Sequence, residues 1–204
     1  MPLHDPSDAL GSRWPLPDET TTRDALLAAY GAPRRGYHDL RHLIEVLDRL
    51  DELAAHGTTY DRLPVVLAAW FHDGVYDGRP GAEQRSAAWA EEALAAHPAP
   101  TAAEVARLVL LTEHHRPADD DANGAALCDA DLAILASPED RYAEYVADVR
   151  REYAHVPDKA FRAGRAAVLR DLHDKPHLFQ TAYAREHWEA AARANLDREL
   201  ADLG

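Results

Sequence analysis

The chain contains a single cysteine, Cys128, among its 204 residues. Without a second thiol, the chain cannot form an internal disulfide or a zinc cluster built from cysteines. No stretch approaches the ~20 apolar residues that a membrane-spanning helix needs. The N-terminus also lacks the basic start and apolar core of a signal peptide. We therefore expect a cytoplasmic protein without a membrane partner.

Basic residues are scarce. Lysine and arginine total 22 against 36 aspartates and glutamates, which gives a formal net charge of -14. A chain with this balance lacks the basic surface that binds nucleic-acid polymers. A small phosphorylated substrate is still compatible with this negative charge, provided that a metal ion or local arginines reverse the charge at the site. The 12 histidines are the leading candidates for metal ligands.

Alternating strand patterns, internal repeats and long linkers are absent, whereas apolar residues recur at helical spacing. The spacing predicts helices over residues 24–30, 37–56, 64–71, 82–96, 101–115, 127–135, 138–153, 158–173 and 183–203. We expect an irregular segment over residues 1–20 and one all-α bundle of about eight to ten helices over residues 21–204. The helical surface is compatible with a homodimer.

Acidic side chains interrupt two apolar segments. His72-Asp73 closes the most apolar predicted helix, and Asp129 and Asp131 lie inside Leu127–Leu135. A desolvated carboxylate is costly unless it is paired or bound to a metal. Both segments therefore need a cation, and histidine with carboxylate is a usual ligand set for a divalent metal. A charge-paired core histidine with two helix-end aspartates is the structural alternative.

Two further histidine pairs are candidates. His38 and His42 are four residues apart, which predicts one helix face at the border of the apolar stripe. That position suits a ligand that reaches a cleft and a surface histidine equally well. His114 and His115 close the predicted helix over residues 101–115. They could serve there as a metal ligand or phosphate contact, or could simply interact favourably with the helix dipole.

No other catalytic motif competes with these residues. The sequence has no Gly-x-Ser-x-Gly elbow, no Gly-x-x-x-x-Gly-Lys phosphate loop and no His-Glu-x-x-His pair. Cys128 lies in an apolar segment, which is more typical of packing than of a nucleophile.

The order His42, His72-Asp73 and Asp131 resembles the metal signature of the HD superfamily. The flanking residues resemble a bacterial branch described as predicted metal-dependent HD phosphohydrolases. These flanks are Tyr37-His38-x-x-x-His42, Trp70-Phe71-His72-Asp73-x-x-Tyr76-Asp77, Glu83-x-x-Ser86-Ala87, Thr112-x-x-His115, Asp129-Ala130-Asp131-Leu132, Arg150-x-Glu152-Tyr153, Gly164-Arg165 and Ala192-Arg193-x-Asn195-Leu196. The resemblance extends from about Trp14 to the C-terminus.

The resemblance implies an HD-type helical bundle and four metal ligands, namely His42, His72, Asp73 and Asp131. Asp131 is preferred to Asp129 because the ligand in related HD proteins is the aspartate of an Ala-Asp pair. The implied catalytic residues are Asp73, which would orient the attacking water, and Glu83, which would act as a general acid or base. The substrate-binding residues that we expect are His38, His115 and Asp77, with Arg41 and Arg165 as candidates to supply counter-charge for the phosphate. Arg116 is a further candidate for neutralising phosphate charge.

The activity implied is metal-dependent hydrolysis of a phosphate ester or anhydride of a small metabolite, with a nucleotide as one candidate. Such a site would hold Mn, Mg, Fe, Co, Ni or Zn, since geometry and availability decide between them. Two alternatives stay open. One is an HD-type diiron oxygenase, in which His38, His114 or His115 supply a second metal. The other is a non-catalytic helical domain that retains metal.

Overall fold

A computed structural model describes residues 6–97 and 99–204. Within these residues there are eleven α-helices and one 3-10 helix, and no strand. The helices are α1 (Pro6–Gly11), α2 (Thr20–Tyr30), α3 (Leu40–Ala55), α4 (Arg62–Phe71), α5 (Ala82–Ala93), α6 (Ala99–Leu111), α7 (Ala122–Leu132), the 3-10 helix (Ala133–Ala136), α8 (Glu139–Glu152), α9 (Asp158–His173), α10 (Ala182–His187) and α11 (Glu189–Leu203). The predicted all-α architecture is confirmed.

Helix α4 lies at the centre of the bundle because it is apolar on every side. All residues from Val65 to Phe71 are buried, and Trp70 and Phe71 are among the largest fully buried side chains. The helix packs against α3, α5, α6 and α7. The His72-Asp73 pair that follows α4 is therefore held in the interior.

The start of α3 is set by a cap. The Asp39 side chain accepts hydrogen bonds from the backbone nitrogens of Arg41 (2.8 Å) and His42 (3.2 Å). This capping satisfies backbone donors that have no partner within the helix. The helix consequently begins at Leu40 instead of residue 37. The prediction that His38 shares a helix face with His42 is wrong, since His38 lies in the turn before the cap.

Other helix boundaries also differ from the predictions, and the end of α6 and the start of α7 are the ones near the site. Helix α6 ends at Leu111 instead of residue 115, and the chain turns with His115 at a φ of 49°. Helix α7 begins at Ala122 instead of residue 127, because the Asp121 side chain accepts a hydrogen bond from the Gly124 nitrogen (2.8 Å). A run of acidic residues that looked like a loop thus supplies an N-cap.

The N-terminal segment is part of the core where the structure describes it. Leu10 on α1 and Trp14 are buried. The Trp14 ring packs edge-on against Trp70, with 5.1 Å between centroids. We expected residues 1–20 to be irregular. The described part of that segment instead forms helix α1 and packs into the core at Trp14. None of the helices in residues 6–97 and 99–204 is long and apolar enough to cross a membrane.

Asp129 joins α7 to the start of α10. It is fully buried, and its two carboxylate oxygens accept hydrogen bonds from the backbone nitrogens of Gln180 and Thr181, each at 2.7 Å. Burial raises the pKa of Asp129 to about 6, against the opposing effect of these hydrogen bonds. Its role in the structure is to satisfy two buried backbone donors.

We expect Asp129→Ala to lower the free energy of unfolding by about 2–4 kcal/mol, because it leaves two buried backbone donors without acceptors. Urea unfolding followed by circular dichroism measures this loss. Asp119→Ala, in an exposed loop, is the control and should change stability by less than about 0.5 kcal/mol. Equal stability of the two variants would contradict the assigned role.

Candidate metal centre

Three separate segments bring four polar side chains together in the interior. His42 lies in the first turn of α3, His72 and Asp73 follow α4, and Asp131 lies in the last turn of α7. Both histidines are buried, and the carboxylates of Asp73 and Asp131 are only 15% and 13% exposed. We call these four residues the His-Asp cluster. They are the four metal ligands that the resemblance implies.

The two imidazole nitrogens of the His-Asp cluster lie close to each other and to an oxygen of each carboxylate. The Nε2 atoms of His42 and His72 are 3.0 Å apart. Asp73 Oδ2 lies 3.3 Å from the first nitrogen and 3.0 Å from the second. Asp131 Oδ1 lies 3.2 Å from Nε2 of His42 and 3.5 Å from Nε2 of His72. Ligands at ~2.1 Å from a metal stand roughly 3.0–3.4 Å apart along the edges of an octahedron or tetrahedron.

His42, His72 and Asp73 therefore form a group that could hold a metal ion. Their ligand atoms all lie within 4.8 Å of one another. Asp131 adds a carboxylate oxygen next to both histidine nitrogens. Two neutral imidazoles and two carboxylates carry a net charge of about -2, which balances a divalent ion.

The tautomer of His72 suits metal binding. Its Nδ1 lies 2.8 Å from the carbonyl oxygen of Ala69, which can only accept a hydrogen bond. The Nδ1 atom must then carry the proton, and the neutral ring presents the lone pair of Nε2 to the cluster. In His42, Nδ1 has no hydrogen-bond partner among the described residues. All polar contacts of that ring are thus made through Nε2, within the cluster.

The charges of the cluster compensate each other in the absence of an ion. Burial disfavours a charged ring, but the carboxylates of Asp131 and Asp73 outweigh it and raise the pKa of His42 to about 9. The pKa of His72 is likewise raised well above its ordinary value, against burial, by the same two carboxylates. Burial would raise the pKa values of Asp73 and Asp131, but the histidines hold both well below the ordinary range. A divalent ion would replace the two protons on the imidazoles.

His115 reaches the cluster from the turn after α6. Its Nε2 lies 2.8 Å from Asp131 Oδ2, the carboxylate oxygen that does not face the two buried histidines. Its positive φ of 49° is unusual for a residue other than glycine. Lys175 holds this turn by donating from Nζ to the carbonyl oxygens of His114 (3.2 Å) and His115 (3.1 Å). His114 is exposed and lines the large cavity, whereas His115 contacts Asp131 of the cluster.

His38 lies beside the cluster and is held by Glu152 of α8. The Nδ1 atom of His38 is 2.7 Å from Glu152 Oε2, and the backbone nitrogens of Gly36 and His38 donate to Glu152 Oε1, each at 2.9 Å. The His38 ring stacks on Tyr76, with 4.1 Å between centroids. Burial would raise the pKa of Glu152, but His38 and the two backbone donors lower it.

Arg35 connects the two turns that carry the site residues. The buried guanidinium donates from Nη1 to the His38 carbonyl oxygen (2.7 Å) and from Nη2 to the Gly74 carbonyl oxygen (3.0 Å). It also lies 4.8 Å from the centre of the Tyr30 ring. No local pattern identifies Arg35, and Glu152 occurs in the motifs of the resemblance without an expected role. Only the packing brings their partners to them.

Three of the residues implied by the resemblance are placed elsewhere. Asp77 forms a two-point ion pair with Arg85, with nitrogen–oxygen distances of 2.7 and 2.8 Å. Arg41 is exposed and bonds to surface carboxylates of α3 and α8. Glu83 has no contact with the His-Asp cluster among the described residues and lines neither cavity described below. Asp77, Arg41 and Glu83 line neither of the two cavities that reach the cluster, and their roles in the site stay predictions.

Two cavities reach the cluster. The larger has a volume of about 1070 Å³ and is lined by His38, His115, Asp131 and Arg165. Arg165 is not free, because it makes a two-point ion pair with Glu199, at 2.7 and 3.0 Å. The smaller cavity has a volume of about 310 Å³ and is lined by His42 and Asp131. Small molecules and water could therefore approach the cluster from outside.

No protein-family model, curated protein or solved structure matches the chain. The resemblance to the HD superfamily stays a prediction, and the function proposed below is supported by the geometry of the His-Asp cluster.

We expect the metal-free protein to lose stability as the pH rises from about 6.5 to about 9. The pKa of His42 is about 9 in the folded chain and ordinarily 6.5, so the folded state binds the proton more tightly. The stabilisation that the protonated His42 gives the folded state is fully present below pH 6.5 and disappears as the pH passes 9. The expected loss is on the order of 3 kcal/mol.

Urea unfolding of chelator-treated protein at several pH values from 6 to 10 measures this loss. His42→Gln serves as the control and should give a flatter profile over the same range. A wild-type stability that does not change between pH 6.5 and 9, or a His42→Gln profile with the same slope, would contradict the assignment.

Proposed function

We propose that the protein is a metal-dependent phosphohydrolase that cleaves a phosphate ester of a small metabolite. The observation that supports this proposal is the group formed by His42, His72 and Asp73, whose ligand atoms lie within 4.8 Å of one another. Asp131 lies 3.2–3.5 Å from both histidine nitrogens and lines a cavity large enough for a metabolite. The proposal also accords with the ordered motifs that resemble HD phosphohydrolases. His42, His72, Asp73 and Asp131 would hold the ion.

Hydrolysis of a phosphate ester needs an activated water, neutralised phosphoryl oxygens and a protonated leaving group. A divalent ion, when bound, lowers the pKa of a coordinated water and polarises the phosphoryl group. The chain contributes the position of each group. His115 contacts Oδ2 of Asp131 and thereby orients the carboxylate so that Oδ1 faces the two buried histidines.

His38 is the better candidate for the proton donor to the leaving group. It lines the large cavity, whereas Glu83 does not. Glu152 contacts Nδ1 of the His38 ring, which leaves Nε2 to exchange a proton with a bound substrate. A carboxylate that orients an imidazole and fixes its tautomer is a recurring arrangement in acid–base catalysis. In this proposal His38 takes the role that the resemblance implies for Glu83.

A diiron oxygenase is the second candidate. The observation in its favour is that both oxygens of Asp131 contact imidazole nitrogens, Oδ1 those of His42 and His72 and Oδ2 that of His115. A carboxylate shared in this way could bridge two ions. Two irons per chain with oxygen uptake would favour this activity, whereas phosphate release with one ion would favour the hydrolase. Metal binding without either reaction would indicate a non-catalytic domain.

We expect His72→Ala and Asp131→Ala to remove both the bound metal and phosphate release, because each leaves the ion with an incomplete ligand set. Elemental analysis of protein incubated with Mn²⁺ and then desalted gives the metal content. A phosphate-release screen over nucleotides, sugar phosphates and aryl phosphates gives the activity. His56→Ala and Glu83→Gln, at residues that line neither cavity, are the controls and should keep the metal and activity within about twofold. Turnover that survives in chelated His72→Ala protein would refute the proposal.

We expect His38→Gln to lower kcat about 100-fold on alkyl phosphates, within the usual range for loss of a general acid or base. The loss on 4-nitrophenyl phosphate should be less than about tenfold, because 4-nitrophenolate leaves without protonation. Metal content should not change. His56→Gln is the matched control, since His56 is exposed and lines neither cavity. An equal loss on both substrates would show that His38 does not protonate the leaving group.

A further inference from the structure

We infer that the substrate is a phosphate monoester whose alcohol part is a large apolar group, aromatic or aliphatic, seated along helix α9. The inference rests on the proposed function, since it names the substrate class of the same site. It follows from the shape, the lining and the charge of the large cavity.

The cavity extends from the His-Asp cluster to α9. His38, His115 and Asp131 line it at the cluster, and residues of α9 line it over about four turns. Its volume of about 1070 Å³ is at the upper end of the ~300–1,000 Å³ that is usual for small-molecule sites. A phosphate placed at the cluster would fill only a small part of it. The remaining space requires a sizeable substituent.

The wall formed by α9 is mostly apolar. Its apolar lining residues recur at spacings of three and four from Gly164 and Val168, and so share one helix face: Ala160, Phe161, Gly164, Ala167, Val168 and Leu172. Val149 of α8 and Tyr153, which follows α8, line the same cavity. Val168 is 54% exposed and is one of the few large apolar side chains left accessible to solvent among the described residues. The other face of α9, with buried Ala166 and Leu169, packs on α11, so the cavity face is not needed to hold α9 in place.

Among the described residues that line the cavity, each arginine and lysine is already paired, so these cations form no free cluster for a polyphosphate. Its lining contains three basic residues, Arg116, Arg165 and Lys175, and three acidic residues, Glu113, Asp131 and Asp171. Arg165 is bound to Glu199, Arg116 donates to Asp171 (2.9 Å), and Lys175 donates to two carbonyl oxygens. Sites for di- and triphosphates present several free donors to the phosphate oxygens. This lining favours one phosphate, placed at the cluster, and an uncharged remainder.

Gly164 leaves room at the centre of the apolar wall. A Cβ built on Gly164 would have no atom within 4 Å, apart from its chain neighbours and its own helix backbone. Cavity-lining residues lie on α9 at i-4, i-3, i+3 and i+4 from this position, so an added side chain would project from the same face. Gly164→Leu should therefore fill the cavity without weakening α9, because leucine has the higher helix propensity.

The test is the binding of n-alkylphosphonates to Mn²⁺-loaded protein, measured by isothermal titration calorimetry for chains of two to eight carbons. Phosphonates are not hydrolysed, so this measurement is independent of turnover. The dissociation constant should fall about fourfold with each added methylene until the cavity is filled. ATP and glycerol phosphate should bind more weakly than octylphosphonate. A dissociation constant that does not change with chain length would overturn the inference.

Gly164→Leu should weaken octylphosphonate binding at least tenfold and leave ethylphosphonate binding within twofold. Ala163→Leu is the matched control, since Ala163 is exposed on the same helix and does not line the cavity. It should change neither constant. Equal effects of the two substitutions on octylphosphonate would overturn the placement of the apolar group along α9.

The outcomes also separate this inference from the proposed function. Phosphate release from short esters, with no gain from longer or aromatic ones, would keep the proposed function and overturn the inference. Chain-length-dependent phosphonate binding without phosphate release from any ester would support the apolar site and refute the hydrolase.

Discussion

The structure depends on the compensation of charge in the interior of the bundle. Two imidazoles and two carboxylates meet where α3, α4 and α7 converge. In a medium of low polarity each of these charges is costly unless an opposite charge lies within contact distance. The three helices must therefore stay in register for the interior to be stable. The apolar sides of α4 fix that register, because they pack on every neighbour and hold His72 and Asp73 at the centre.

Contacts between distant parts of the chain hold the turns around the cluster. Arg35 joins the turn of His38 to that of Gly74, and Glu152 on α8 accepts three hydrogen bonds from the segment around His38. Lys175, which follows α9, holds the left-handed turn of His115. Each of these side chains satisfies buried or partly buried backbone groups. Polar networks with most members satisfied are rigid, which suits groups that must stand at fixed distances from an ion.

Charge also limits what the site can select. The chain carries a formal net charge of -14, and the basic residues of the large cavity are already engaged by carboxylates or carbonyl oxygens. In the proposed function, attraction for a phosphate would come from an ion at the His-Asp cluster. Selection among phosphate esters would fall to the remaining lining, which is mostly apolar on the side of α9. Affinity for such a surface grows with the apolar area removed from water.

The helical class and the candidate polar residues of the site could be predicted from the sequence. Helical spacing and a charged residue inside an apolar run are both local signals. The tertiary structure decided which of these residues meet. Asp131 faces the cluster and Asp129 binds backbone, since only packing shows which donors surround each carboxylate. The partnership of His38 with Glu152 spans 114 residues of sequence. Glu83 was expected at the site and lies away from it, because the path of the turn before α5 is set by contacts that no local pattern records.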